Sequence, residues 1–248
     1  MITFEIICLA KSIKNGSFCI AGLKTDGSGW LRPVSDREDG TLYLQNLTLD
    51  NGNEPQLFDI IKIHFIKERI QYHQPENWVI DRNKVWDFIG RATLEQAQKL
   101  INPEVIKHHN FPKLLGNLEN KINYEDLKKA PAESSLALIM PNQIQWCINT
   151  FSNKRKATVI FSLGETSYNF PITDPVWKSK LEQLNDGRYS SKELIDKLEL
   201  EHFDPKKFFF TISLGEPFAP SNSEQKFCYK LVASVINSSD VKKRLEFG

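Results

Sequence analysis

Long hydrophobic runs are missing from this 248-residue sequence, and no segment approaches the roughly 20 consecutive apolar residues that cross a bilayer. The N-terminus, MITFEIICLAKSIKNG, has only a short apolar run with Glu5 inside it and no basic stretch before it, so neither a signal peptide nor a spanning helix is expected. The reading is a cytoplasmic chain with no membrane partner. Excess charge is missing too: 32 Lys and Arg stand against 31 Asp and Glu, a formal net charge of +1. Any site for a polyanion must therefore be a local patch. Cysteine is sparse, with Cys8, Cys19, Cys147 and Cys228 widely scattered in apolar, strand-like contexts and no C-x-x-C pair. Reduced core thiols are expected. His108 and His109 are adjacent, which sends their side chains apart, and neither has a Cys or carboxylate at a zinc spacing. No metal and no cofactor are expected. A G-x-S-x-G elbow, a Walker loop and a Cys–His signature are all absent, so no catalytic residue is named. Constellations assembled only in space leave no such trace.

What is present is an ordinary globular composition, 40% hydrophobic and 25% charged. ITFEIICLA at 2–10 and FCIAGL at 18–23 are β-branched and aromatic-rich, with the turn signal Lys14-Asn15-Gly16-Ser17 between them. A second turn cluster, TDGSG at 25–29, leads into Gly29-Trp30-Leu31-Arg32-Pro33-Val34-Ser35. LFDIIKIHFIK at 57–67 adds an alternating strand, and together these suit a small barrel. ATLEQAQKLI at 92–101 predicts a helix with Thr93 as N-cap and Gln96 closing a capping box. The stretch from Asn102 to Pro131 reads as an irregular connection with a weak helical signal at NYEDLKK.

From Ser135 strands resume as SLALIMPNQIQWCI, ATVIFSL and TSYNFPIT. Helices are predicted at about 175–185 and 190–200, the first opened by Asp174 as N-cap and Pro175 at its first position. KKFFFTISL at 206–214 and FCYKLVASVI at 227–236 close a second β-rich half. The tetrad Ser162-Leu163-Gly164-Glu165 recurs as Ser213-Leu214-Gly215-Glu216, each read as a strand ending in a glycine turn.

These segments, LAKSIKNGSFCIAGL, GWLRPVS, ITDP, FTISLGEPF and CYKLVASVI, resemble in their order the dual OB-containing domain family of bacterial proteins. The resemblance extends over nearly the whole chain. It implies a mainly β fold, two OB-like barrels in tandem with helical insertions, divided here as 1–130 and 131–248. It also implies a nucleic-acid-binding or nucleotide-sensing module associated with bacterial defence systems, with no reaction to carry over. The family's arginine after LAxS is replaced by Ser12-Ile13-Lys14 in this chain, which removes a phosphate contact near Lys11.

In a strand, Trp30 and Arg32 share a face. A ring beside a guanidinium can stack on a nucleobase and pair with its phosphate. Alternatively, Arg32 covers Trp30 and pairs with a carboxylate such as Asp36. Both readings stay open. Lys11, Asp174, Ser213 and Glu216 complete the candidate ligand residues, with a helix cap as the plain account of Asp174 and a closing turn as that of Ser213 and Glu216. Lys154, Arg155, Lys156, Lys206, Lys207 and the run Lys242-Lys243-Arg244 are the dense basic clusters. A binding module for single-stranded nucleic acid or a nucleotide-like ligand accounts for these features. An enzyme with a site between the halves and a protein-interaction adaptor are the alternatives.

Overall fold

A computed structural model describes residues 2–14, 16–109, 113–152, 154–221 and 223–247. The first six strands are β1 (Ile2–Lys14), β2 (Ser17–Lys24), β3 (Trp30–Val34), β4 (Asp59–Glu68), β5 (Asn77–Ile80) and β6 (Asp87–Arg91). Gly16, at φ +76°, turns the chain between β1 and β2, and Asn15 lies outside the described residues. The first half of β1 pairs with β4 and the second half with β2. Following neighbours gives β1-β2-β3-β5-β4 and back to β1, a closed five-stranded barrel with a parallel β3–β5 contact. The register shift between Cys8 and Ala10 supplies the bend that lets one strand serve both partners. Gly22 is required on β2 because a Cβ there would stand 2.2 Å from the Ile7 carbonyl oxygen. Ile6, Ile20, Leu31, Ile61, Ile63 and Trp86 fill the barrel interior.

The predicted helix is α1 (Leu94–His109), and its capping box is formed: Gln96 N donates to Thr93 Oγ1 at 3.2 Å while Thr93 N donates to Gln96 Oε1 at 2.8 Å. It runs past Asn102, where the sequence suggested irregular chain. Pro103 can give no amide to residue 99, yet the helix carries through. The side chains of His108 and His109 lie outside the described set. Next come β7 (Lys121–Asn123) and α2 (Tyr124–Lys129), capped by Asn123. Leu114, Leu115 and Leu127 pack into the second core.

The remaining elements are β8 (Leu136–Ile139), β9 (Asn142–Phe151), β10 (Lys154–Leu163), β11 (Thr166–Pro171), α3 (Pro175–Leu181), β12 (Gly187–Ser190), α4 (Ser191–Lys197), β13 (Phe208–Phe218), β14 (Phe227–Asn237) and α5 (Ser238–Phe247). They form two four-stranded sheets, β11-β10-β9-β12 and β7-β14-β13-β8. The chain itself links the sheets at Met140-Pro141, and a parallel bridge from Ile172 to Val232 links them on the other side. This half-barrel repeats the logic of the first: β8 and β9 together act as a bent first strand, and β11 meets β14 in parallel as β3 meets β5. Its core is aromatic, with Trp146 stacked on Trp177 at 5.1 Å and Phe208 and Phe210 edge-on to Trp146. Mostly β with helical insertions, the chain carries tandem OB-like units.

The second copy of SLGE corrects its expected role. Gly164 turns β10 into β11 with φ +60°, but Ser213 to Glu216 lie within β13, at a register shift between Leu214 and Pro217. The tetrad ends a strand once and bulges a strand once. Glycine permits both, so the local pattern could not tell them apart.

Candidate functional site

The two halves meet along a hydrogen-bonded seam. Ile13 N donates to Thr173 O at 3.1 Å and Thr173 N to Val232 O at 2.9 Å, so the chain after β11 lies between β1 and β14. Lys11 N donates to Ser234 Oγ at 3.1 Å, and Thr211 Oγ1 donates to Leu9 O at 2.7 Å. Ile7, Leu9, Ala21, Leu23 and Trp30 form the outer face of the first barrel here and pack against Leu136, Leu138, Ala233 and Ile236. Trp30 is 9% exposed, within this joint core. The loop between β4 and β5 clamps the same contact: Gln74 Nε2 donates to Leu214 O at 3.0 Å, and His73 Nε2 lies 2.8 Å from Glu216 Oε2.

Arg32 sits inside that clamp. Its Nη2 donates to Ser135 Oγ at 2.8 Å and Ser213 Oγ at 3.1 Å, and lies 3.9 Å from Glu76 Oε1. Glu76 in turn accepts from the Ser135 hydroxyl at 2.6 Å and from its backbone amide. The carboxylate is thus Glu76 rather than Asp36, which accepts from Tyr43 Oη and faces Arg82. Arg32, Ser213 and Glu216 line one cavity of about 360 Å³. Lys11 and Asp174 line another, of about 440 Å³. The two lie back to back across the seam, since alternate residues of the same segments face each: Ser12, Thr173 and Ala233 one way, Lys11, Asp174 and Ser234 the other.

Asp174 caps α3 as its sequence position demands, its Oδ1 accepting from Val176 N and Trp177 N, and its Oδ2 accepts from Val235 N on β14. Burial pushes its carboxyl up to about 6, against the pull of those three amides. Because the folded state then holds the proton more tightly than the unfolded chain, this group costs stability as pH rises from about 4 to about 6. Asp174→Asn should abolish that slope and keep the cap. Asp174→Ala should cost about 2 kcal/mol, through the lost cap and the stranded Val235 amide. Urea titrations at pH 4 and pH 7 read both effects.

A different surface emerges on the sheet β11-β10-β9-β12. Antiparallel partners share a face, so the pairs Phe151–Lys154, Asn149–Lys156 and Cys147–Thr158 project together, and Arg188 on β12 joins them opposite Cys147. The other face carries Trp146, Ile148, Val159 and Phe161 into the core. Phe151 is 72% exposed. None of the four strands contains an Asp or Glu. Arg188 is close enough for its charge to bear on the Cys147 thiol, which burial otherwise pushes up. Nearby acids are engaged elsewhere: Glu193 closes the capping box of α4 with Ser190, and Asp186 accepts from Thr150. The run Lys154-Arg155-Lys156 therefore splits, with Arg155 turned to the opposite side near Asp186. Lys206 and Lys207 lie before β13, where Lys207 pairs with Asp204 and its carbonyl accepts from Ser238 N at the start of α5. The side chain of Arg244 lies outside the described set.

Phe151 and Arg188 had no part in the sequence-based candidate set. Arg188 joins the lysines only through the β9–β12 pairing, which no local pattern announces. Phe151 was legible as an aromatic beside a basic run, but its exposure depends on the register.

A search of curated proteins returns no match. Among solved structures, the tetrameric p202 HIN2 aligns over 94% of this chain and 91% of that one, at 9% identity and a TM-score of 0.28, which is too slight a likeness to carry an argument. The match to a family model is extensive: over residues 4–235 the sequence fits the dual OB-containing domain, and the chain belongs to that family.

Proposed function

We propose that the chain is a binding module for single-stranded nucleic acid, with the strand laid across β10, β9 and β12 of the second half. The supporting observation is the acid-free face on which Lys154, Lys156 and Arg188 stand with the exposed ring of Phe151. Cations that follow a phosphate backbone and an aromatic on which a base can stack are the two requirements of sequence-tolerant strand binding. OB barrels use the face of their second and third strands for oligonucleotides. In the first barrel that face is covered by the second half, while β10 and β11 leave theirs open.

Fluorescence anisotropy with a labelled oligonucleotide, repeated across salt concentrations, tests this. The double variant Lys156→Ala, Arg188→Ala should weaken binding and flatten the log–log salt slope by roughly 0.7 per lost contact. Phe151→Ala should weaken it by about 1–3 kcal/mol with the slope unchanged. Failure of the wild type to bind at low salt, or equal binding by all three proteins, removes this face from the function.

A further inference from the structure

The cavity of about 440 Å³ behind the seam, lined by Lys11 and Asp174, belongs neither to the strand-binding face nor to the clamp around Arg32. Its volume is in the range of small-molecule pockets. Helix α3 contributes Trp177 and Lys180 to its wall, and their spacing of three residues puts them side by side on one helix face. Trp177 is 4% exposed, with its ring stacked on Trp146. Its indole N–H has no acceptor among the described residues, and unlike the orphaned nitrogens of Trp30 and Trp86 it is not sealed inside the core. An open donor on a cavity wall calls for an acceptor from a ligand. Lys180, half-buried one turn further on, likewise has neither an acceptor nor a counter-ion among the described residues.

The other charges on this wall are answered in place. Lys11 donates to Glu54 at 2.7 Å, Arg91 lies 3.4 Å from Asp59, Asp240 lies 2.7 Å from His202, and both oxygens of Asp174 accept from backbone amides. Lys180 is the remaining cation. Further donors are the spare protons of Lys11 and the hydroxyl of Ser234, whose oxygen already accepts from Lys11 N. The wall thus offers donors and an unanswered positive charge, while Phe18, Phe58 and Phe203 supply apolar surface.

We propose that this cavity binds a small monocarboxylate with a flat apolar body and no ammonium group. The carboxylate accepts from Trp177 Nε1 and from the Lys180 ammonium, and such charge-assisted bonds are stronger than neutral ones. A single negative charge matches the unanswered cation, whereas a phosphate dianion would bring a second charge with nothing left to meet it. The amine of an amino acid would be stranded in the same way, because Glu54, Asp174 and Asp240 are already engaged. The site does not depend on the strand-binding reading.

Isothermal titration of the full chain with phenylacetate, phenethyl alcohol, phenylalanine, phenyl phosphate and acetate tests the assignment. Phenylacetate should bind with one-to-one stoichiometry. Phenethyl alcohol, which lacks the charge, and phenylalanine, which adds an amine, should each bind roughly tenfold more weakly or worse. Phenyl phosphate should bind more weakly than phenylacetate, and acetate alone should not bind. Lys180→Met, checked for folding by circular dichroism, should weaken phenylacetate roughly tenfold or more, and Lys180→Arg should recover most of the loss. Trp177→Phe keeps a ring in the stack and removes the N–H, so it should weaken phenylacetate too; if it fails to fold, the Lys180 variants decide. No binding of phenylacetate by the wild type, equal affinity for the alcohol, for phenylalanine or for phenyl phosphate, or an unaltered Lys180→Met or folded Trp177→Phe variant would each overturn the proposal. Oligonucleotide affinity of the wild type is read in parallel, and its persistence alongside failed phenylacetate binding would sink this proposal alone.

Discussion

Arg32→Ala should lower the unfolding free energy by about 3–5 kcal/mol, the cost of leaving a buried charge without its counter-ion. Glu76, whose side chain is 7% exposed, would keep only the hydroxyl and amide of Ser135. The loss should appear in guanidinium titrations as a lower midpoint. Glu76→Ala should cost a similar amount, and the double variant much less than the sum, because each single change strands the other charge. Additive losses would mean that the pair is not coupled and that Arg32 holds the halves together through Ser135 and Ser213 alone.

This expectation depends on a placement that GWLRPVS foreshadowed only in part. The strand and its alternation were legible: Leu31 enters the first barrel, and Trp30 and Arg32 face the other way. What that other face meets was not, because Ser135 and Ser213 stand 103 and 181 residues further along the chain. Local pattern specifies that a face is amphipathic and leaves its partner open. Caps behaved differently. Thr93 and Asp174 act on amides two or three residues away, so their roles could be read from spacing. Strand pairs adjacent in sequence were readable for the same reason, whereas the β9–β12 pairing that brings Arg188 beside the lysines spans β10, β11 and α3.

Raising the pH above 7 should make the folded chain more stable, through Lys230. This side chain is fully buried on β14, where its ammonium donates to the carbonyl of Asn117 at 2.9 Å and to the Asn117 side chain at 2.6 Å. Burial pulls it down from 10.5 to about 7, with Glu119 pulling weakly the other way. The unfolded chain therefore binds more protons between those values, so stability rises with pH there, by at most about 1.4 kcal/mol per pH unit. Below about pH 7 both states are protonated and the full cost of burying the charge is present. Denaturant midpoints at pH 7 and pH 9 should differ in the wild type and converge in Lys230→Met. A midpoint that falls over this interval, or an equal rise in the variant, would show that Lys230 is not the titrating group.

The seam has a consequence for the order in which the molecule is made. The first barrel is complete once Arg91 has joined β6, yet the amide of Lys11 waits for Ser234, 223 residues later, and the carbonyl of Leu9 for Thr211. While ribosomes add the remainder, the flank bearing Leu9, Leu23 and Trp30 stays uncovered, a sticky apolar surface on an otherwise finished unit. Contacts of such long reach slow the final closure. Chains released early, even those lacking only the last strand, would carry an intact first barrel with this flank open to aggregation.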